Sequence, residues 1–576
     1  MTETKVSWLE WDKEAFLRAE ELDKPILLDI SAVWCHWCHV MDETTYSDSE
    51  VARLIDERFI PIHVDRDQRP DIDKRYNMGG WPTTVFLSAA GDILMGGTYI
   101  PPQQMVGLLE QVSGIYEHNR GNMKSRIGEL QQELKEPRVR EVLDDSVFQS
   151  AVDGLTLEVA SRFDPVHGGF GDSPKFPHSD ALRLLLLQNY LQGHDGALTI
   201  VEKTLSAMGN GGVYDKVEGG FFRYSTTKDW SIPHYEKMCE DNAKLLTNYL
   251  EAYQVTAEQS FRDTAIGILG YVDTKLSDQE NGGFYGSQDA DEVYYALGLD
   301  ERKKMKAPRI DRTVFVNWNA MMASSYLLAS VLLEEQKYQR FALKTVELLM
   351  QKAFSPEKGM SHFLIDKKSS LVGFLTDQAY MVRCLLDCYQ VTFDRKFLEK
   401  AEALCEFMLD RLWDSNNGAF FDKPEEDDAL GALKLLDKPL EENSVAADSF
   451  LRLYHLTGDQ KYLETAKRTL EFFVDDYQRY GIMGAVYGLA VERFLQPIQI
   501  HVVGSRKEKT TDLLLKECLK AYNPLKIIEL VEPEQDKDRL KVLGYPVSDV
   551  PTAYICGGGD CRSVDDPEKV AEIIGR

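Results

Sequence analysis

Two thiols three residues apart, in Trp34-Cys35-His36-Trp37-Cys38-His39-Val40-Met41, are where side chains of this 576-residue sequence first suggest chemistry. One helical turn puts both on the same face, so one can attack a disulfide and the other can resolve the mixed intermediate. The apolar run Ile26-Leu-Leu-Asp-Ile30 reads as a buried strand leading into the motif. Cys35 then sits at a helix N-terminus, where unpaired N–H groups and the macrodipole favour a thiolate. A protonated His36 favours it further, and Trp34, Trp37 and His39 stand close enough to tune it. Two other readings use the same letters. Cys35-x-x-Cys38-His39 matches the attachment string of c-type haem, which needs an oxidising compartment and an axial ligand. Zinc could draw on Cys35, His36, Cys38 and His39, but four ligands on one turn cannot converge tetrahedrally, so a second site would have to donate. The expectation is a redox pair that uses no metal and no cofactor.

The elements around the motif alternate. After a helical stretch to about Asp56 come the strand Phe59–Asp65, then Gly79-Gly-Trp-Pro82, then the strand Thr83–Leu87, a Gly91-Asp92 turn and Ile93–Met95. That order predicts a small α/β sheet of the thioredoxin type over residues 1–125, closed by a polar helix from about Gln103 to Val139. Pro82 falls where such folds hold a cis proline against the active-site pair.

Residues 126–495 read as helix after helix, punctuated by recurring glycine loops. Clear copies are Phe163-Asp-Pro-Val-His-Gly-Gly-Phe170, Tyr214-Asp-Lys-Val-Glu-Gly-Gly-Phe221 and Ser277-Asp-Gln-Glu-Asn-Gly-Gly-Phe284. Weaker ones are centred on Gly359, Gly418 and Gly484. Successive spacings of 51, 63, 76, 59 and 66 residues each hold two helices, so the sequence predicts six helical hairpins closing into an (α/α)6 toroid. From 496 to 576 a small third α/β unit is expected, with Cys556 and Cys561, which could form a second thiol pair, read as inert cysteines.

Chemistry-bearing residues gather at the loops and helix starts of the ring. The densest stretch carries Arg223, Tyr224, Trp230, His234, Tyr235, Glu236, Asp241 and Asn242. Further candidates are Lys175, Phe176 and His178, then Asp289 and Asp291, Trp318 and Asn319, and Asp377. Aromatic rings beside carboxylates and amides suit a sugar, whose apolar face and hydroxyls need both. His234, Glu236, Asp241, His178, Asp289 and Asp291 are the candidates for proton transfer; the others are candidates for substrate contact. Asp and Asn at helix starts also serve as N-caps.

The net charge of −28 repels phosphate backbones and anionic lipid, which argues against nucleic acid as a partner. The longest apolar runs, such as Leu184–Leu187, are too short to cross a bilayer. Met1-Thr-Glu-Thr-Lys-Val-Ser-Trp8 shows no basic segment followed by an apolar one, and nine cysteines without a dense framework fit a reducing cytoplasm.

Taken together, the motifs resemble the YyaL-type thioredoxin-domain family that includes spermatogenesis-associated protein 20. The matching strings are Trp34–Met41, Gly168-Gly-Phe-Gly-Asp-Ser-Pro-Lys-Phe-Pro177, the Gly-Gly-Phe-x-Arg-Tyr and Pro233–Met238 segment, and Gly282-Gly-Phe through Asp289-Ala-Asp291. The resemblance implies a thioredoxin-like domain followed by a toroid like those of N-acylglucosamine 2-epimerases, cellobiose epimerases and six-hairpin glycosidases. Three functions follow: a sugar epimerase or isomerase using His234 and His178, a glycoside hydrolase using paired carboxylates, or a ring that binds a sugar or a thiol-containing protein without chemistry of its own.

Overall fold

The computed structural model describes residues 5–118, 127, 143–366, 368–546 and 550–574. The expected boundary at 125/126 and the far end of the Gln103–Val139 helix lie outside the described residues. The first domain runs α1 (Lys13–Glu21), β1 (Ile26–Ser31), α2 (His36–Thr44), α3 (Ser49–Arg58), β2 (Ile60–Asp65), α4 (Pro70–Tyr76), β3 (Thr83–Leu87), β4 (Ile93–Gly97) and α5 (Pro102–His118). Its sheet order is β2-β1-β3-β4, with β1 parallel to β2 and antiparallel to β3. As a central strand with helices on both faces, β1 is buried at every position, which explains its unbroken apolar run.

Twelve longer helices follow: α6 (Asp145–Ser161), α7 (Ser179–Gln192), α8 (Asp195–Asn210), α9 (Cys239–Thr256), α10 (Gln259–Tyr271), α11 (Val316–Leu332), α12 (Gln336–Lys352), α13 (Leu375–Thr392), α14 (Arg395–Arg411), α15 (Leu440–Thr457), α16 (Gln460–Phe473) and α17 (Ala485–Leu495). The odd-numbered helices α7 to α17 pack in sequence and α17 returns to α7, forming a closed inner ring. Inner helices are buried on most sides, as α11 is from Val316 to Ala323. Outer helices bury one stripe, as in α16 with Tyr462, Thr465, Ala466, Thr469, Leu470 and Phe473. Five hairpins are consecutive in the chain. The sixth pair joins its first helix to its last, α6 against α17, where the spacing had predicted a sixth sequential hairpin.

The glycine loops share one construction. In each, an aspartate (Asp164, Asp215, Asp278 or Asp414) accepts from two following backbone N–H groups through Oδ1. Its own N–H reaches the carbonyl of the residue five on, Gly169, Gly220, Gly283 or Ala419. In three of them a lysine closes the loop. Lys175, Lys237 and Lys438 each lie 2.7 Å from the aspartate and also donate to Gly168, Gly219 and Gly418 carbonyls. Gly220 has φ +77°, and a Cβ there would sit 2.5 Å from the Tyr271 ring. The following phenyl is wedged against the next inner helix: Phe221 stacks on Tyr249 and Phe284 meets Tyr326 edge-on.

An amide from that helix then clamps the loop. Asn242 accepts from Phe221 N–H (2.8 Å) and donates to Phe221 and Met238 carbonyls; Asn319, Asn443 and Gln378 repeat the pattern on Phe284, Phe420 and Met360. The copies centred on Gly359 and Gly484 depart from the loop. Ser355 stands where the aspartate would be, and the chain there extends into β5 (Gly359–Ile365) and β6 (Lys368–Val372). The last copy, with no acidic cap and no glycine pair, winds into a 3-10 stretch over Tyr477–Gly484.

The C-terminal unit contains β7 (Ile498–Val503), α18 (Lys509–Lys520), β8 (Lys526–Val531), α19 (Lys537–Leu543), β9 (Thr552–Gly557), β10 (Asp560–Val564) and α20 (Val570–Ile574). Its order, β8-β7-β9-β10, repeats the first sheet strand for strand, including the parallel and antiparallel senses. Gly504-Ser505 follows β7, where the first domain places its cysteine motif after β1. Cys556 and Cys561, expected to be inert, form a disulfide across the β9–β10 hairpin.

Asn242→Ala leaves the buried N–H and carbonyl of Phe221 without partners and removes the second donor to the Met238 carbonyl, which keeps its helix bond. We expect a loss of roughly 2–3 kcal/mol in urea unfolding, with an unchanged slope.

Candidate functional site

Cys35 caps α2, and its Sγ accepts from the N–H of Cys38 (3.2 Å), the sulfur to which it is bonded. The preceding Trp34 is buried and donates its indole N–H to Asp67 (2.5 Å), on the loop after β2. The His39 ring is tied to the Val33 carbonyl (3.0 Å). His36 and Trp37 point outward, with Trp37 48% exposed and tilted against Tyr99. The Trp81-Pro82 bond is cis, and the Trp81 indole donates to Asp73 (2.8 Å). Beneath the pair, Asp29 is buried between His63 (2.9 Å) and the Tyr46 hydroxyl (2.9 Å). Burial, with Asp29 nearby, raises Asp42 to about 6.

The ring closes over this face. The Arg223 guanidinium lies 4.5 Å from the Trp34 ring centre and 5.1 Å from that of Trp81, and Arg66 lies 4.4 Å from Trp81 on its own domain. Two indoles and two guanidiniums thus make one contact, worth on the order of 0.5–2 kcal/mol per pair when dry. Ala32, Trp34, Cys35 and Cys38 belong to the apolar core of the ring and to neither core of their own domain. Cys35 is 5% exposed and Cys38 2%. The disulfide is therefore a wall of the domain interface. Next to it, His362 bonds Asp377 (2.9 Å) through Nδ1 and the Asp67 carbonyl (2.8 Å) through Nε2, so Asp67 serves both Trp34 and the ring. Only Asp377 of this set was legible in sequence. Arg66 and Asp67 lie just past a strand with no motif of their own, and His362 falls in the weak glycine-loop copy centred on Gly359, where nothing marks it for a site.

The other candidates fall into two groups. One is engaged in scaffolding: Lys175, Asn242 and Asn319 lock glycine loops, Trp230 is fully buried with its indole on the Gly168 carbonyl (3.2 Å), and Asp291 caps the helical turn Glu292–Tyr295. The second lines space. Phe176 stacks on Tyr224 (4.7 Å) and Tyr224 on His234 (5.0 Å), a ladder with Phe176 38% exposed. His234 Nδ1 meets Glu236, whose second oxygen, Oε1, is buried without a partner. Tyr235 stacks on Tyr295. Burial raises the carboxyl pKa of Asp289, with His39 countering and Glu236 reinforcing it, which brings the thioredoxin and ring sides together at this point. His178 sits at the start of α7 beside Phe170 and Phe176, and burial lowers it to about 4, so it is neutral at pH 7.

At the ring mouth, under α4 and the loop before it, Arg66, Asp67, Glu240, Trp318, His362 and Tyr380 line a chamber of about 160 Å³. Glu441 also lines it, and Asp241 follows the lining residue Glu240 in the chain. Burial and the adjacent Glu240 raise Asp241 to about 7, while Lys244 (2.8 Å) holds Glu441 down to about 2.

Residues 1–135 match the Thioredox_DsbH family model, described as a protein of unknown function, DUF255. The whole chain is similar to spermatogenesis-associated protein 20. With the human protein it shares 27% identity, over 99% of this chain and 90% of that one. Thioredoxin-T of Drosophila melanogaster is 26% identical over 18% of this chain and 63% of its own. Among solved structures, cellobiose 2-epimerase from Bacillus thermoamylovorans superposes with a TM-score of 0.48 at 15% identity, over 58% of this chain and 87% of that one. The family resemblance carried by the motifs thus extends along the full length. No described helix is long and apolar enough to cross a membrane.

Two outcomes follow. In the reduced protein, iodoacetamide should modify Cys35 slowly, and Arg223→Ala, which uncovers Trp34, should speed it at least tenfold as read by mass spectrometry. Asp241 has a folded pKa near 7, above its unfolded value near 4, so its contribution to stability is complete below pH 4 and disappears as pH rises through 7. Asp241→Asn should accordingly stabilise the protein at pH 8 relative to wild type by on the order of 1 kcal/mol and change little at pH 5, in paired thermal melts.

Proposed function

We propose that this chain joins a thiol–disulfide oxidoreductase centre, Cys35/Cys38, to a ring that moves protons on a small carbohydrate or sugar derivative, in the manner of an epimerase or isomerase. The observation that carries the ring chemistry is the His234–Glu236 pair at the end of the Phe176–Tyr224 ladder. The ladder offers an apolar face to a sugar ring. Glu236 fixes the tautomer and orientation of His234, which is 22% exposed and so open to a ligand. In this reading His234 removes the proton beside the carbonyl, and Asp289, which burial favours in its neutral form and which lies within electrostatic reach of Glu236, returns one. In the same reading Asp241, raised in pKa, is a further acid, and Glu441, ionised at the mouth, is a further anionic contact.

The thiol partner in this reading is a thiol-containing protein that reaches Cys35 once the Arg223 contact opens. We assign residues 1–125 to the redox domain, 126–495 to the ring and 496–576 to the C-terminal unit. We place the protein in the cytoplasm, a setting that suits the five buried unpaired cysteines, Cys239, Cys384, Cys388, Cys405 and Cys518.

The test is incubation in D2O with aldoses, ketoses, N-acyl hexosamines and disaccharides, followed by NMR. Deuterium beside the carbonyl, reduced at least 100-fold in His234→Ala and tenfold or more in Glu236→Gln, is the expected result. Release of new reducing ends without deuterium uptake would replace the epimerase by a hydrolase. A silent spectrum would leave the ring as a binding module.

A further inference from the structure

The bore of the ring is capped at both ends and hollow between them. Sharing Met321 and Tyr380 with the mouth chamber, a cavity of about 220 Å³ runs down to Leu519, Tyr522 and Asn523 of the C-terminal unit. Six cationic side chains line it: Arg183, Lys244, Arg383, Arg452, Arg493 and Lys526. This stands out in a chain whose net charge is −28.

Most of the carboxylates in reach are already paired. Arg183 forks onto Glu251 (3.0 and 3.1 Å), Arg452 lies 2.8 Å from Asp387, and Arg493 is bonded to Asp448. Lys244 is held by Glu240 and Glu441 at the mouth. Arg383 makes no direct ion pair among the described residues, the carboxylate that feels its charge being Asp448, which Arg493 already occupies, and Lys526 donates to the Leu519 and Ala521 carbonyls. Asp180 is the one carboxylate of the lining without an ion pair among the described residues. The Tyr522 hydroxyl is buried in the same lining, near Arg183 and Glu251, with no hydrogen-bond partner among the described residues. The crowding registers on Arg493, whose pKa burial lowers with Arg452 and Arg383 adding to the effect against Asp448. Burial also brings Lys526 down to about 8.

We propose that this cavity binds a small sugar derivative carrying a carboxylate or phosphate, with Arg383 and Tyr522 as its anion contacts and Met321, Leu328 and Val331 against its carbon skeleton. A guanidinium fork matches either oxyanion, and an unpaired one in a sheltered cavity gains the most from meeting it. The negative charge of the ligand rests on Arg383, which has no ion pair among the described residues; its sugar skeleton rests on the carbohydrate reading above.

Calorimetry on the full-length protein at low salt, with a hexuronate, a hexose 6-phosphate, inorganic phosphate and a neutral hexose, tests this. Both sugar anions should bind at least tenfold tighter than the neutral hexose. Arg383→Gln should cost at least tenfold in affinity without lowering the melting temperature, and Tyr522→Phe a few-fold. Should Arg383→Gln fail to fold, Arg383→Lys keeps the charge but not the fork and should weaken hexuronate more than inorganic phosphate. Inorganic phosphate binding as tightly as the hexose phosphate would overturn the sugar assignment. Equal affinity for the neutral hexose, no anion binding, or binding indifferent to Arg383→Gln would overturn the site. Anion-sugar binding with no deuterium exchange would uphold this site while removing the epimerase reading.

Discussion

Closure of the helical ring is the contact on which the remaining architecture depends, and it is made by α17 against α6 and α7, from which it is separated by about three hundred residues of chain. An open stack of hairpins exposes an apolar face at each end; a closed one exposes none but leaves a bore. Helix ends facing a bore also leave backbone groups that need partners. The two α/β units meet both demands. The first domain covers the N-terminal ends of the inner helices, anchored by Arg75 on Asp422 (2.9 Å) and on the Ala432 and Leu435 carbonyls. The C-terminal unit covers the opposite ends through Gln254 on the Lys520 carbonyl, Gln390 on the Ile528 N–H and Arg493 on the Pro524 and Leu525 carbonyls.

Capping explains why the redox pair is where it is. A thioredoxin-type motif normally has to meet its substrate at the surface, yet here the indoles of Trp34 and Trp81 are occupied by Arg223. Asp67 adds a second link, with its carboxylate on Trp34 and its carbonyl on His362, which Asp377 holds from within the ring. The chain next to Cys35 is thus bonded to side chains whose positions the ring fixes. The two caps share a strand order, but only the one at the mouth carries thiols at the end of its first strand. The other ends its first strand at Gly504-Ser505 and lends the bore Tyr522 and Lys526.

What the sequence determined by itself is local. A cysteine pair after an apolar strand, a Trp-Pro before the next strand and an Asp-x-x-x-Gly-Gly-Phe recurrence each encode a conformation within a few residues, so they were readable without any fold. The same locality misled at the copies centred on Gly359 and Gly484, where a glycine remained but the acidic cap did not, and the chain took other paths. Only the tertiary structure decided which polar side chains were free. Asn242, Asn319 and Lys175 look like ligand contacts in a string of letters, yet their partners are backbone groups and, for Lys175, the Asp164 carboxylate, all brought in by folding. Arg66, Asp67, His362 and Arg383 look like nothing in sequence and become prominent through burial beside residues hundreds of positions away. A buried polar group must be paired or it is costly, and pairing is settled by three-dimensional proximity, which short-range sequence pattern does not contain.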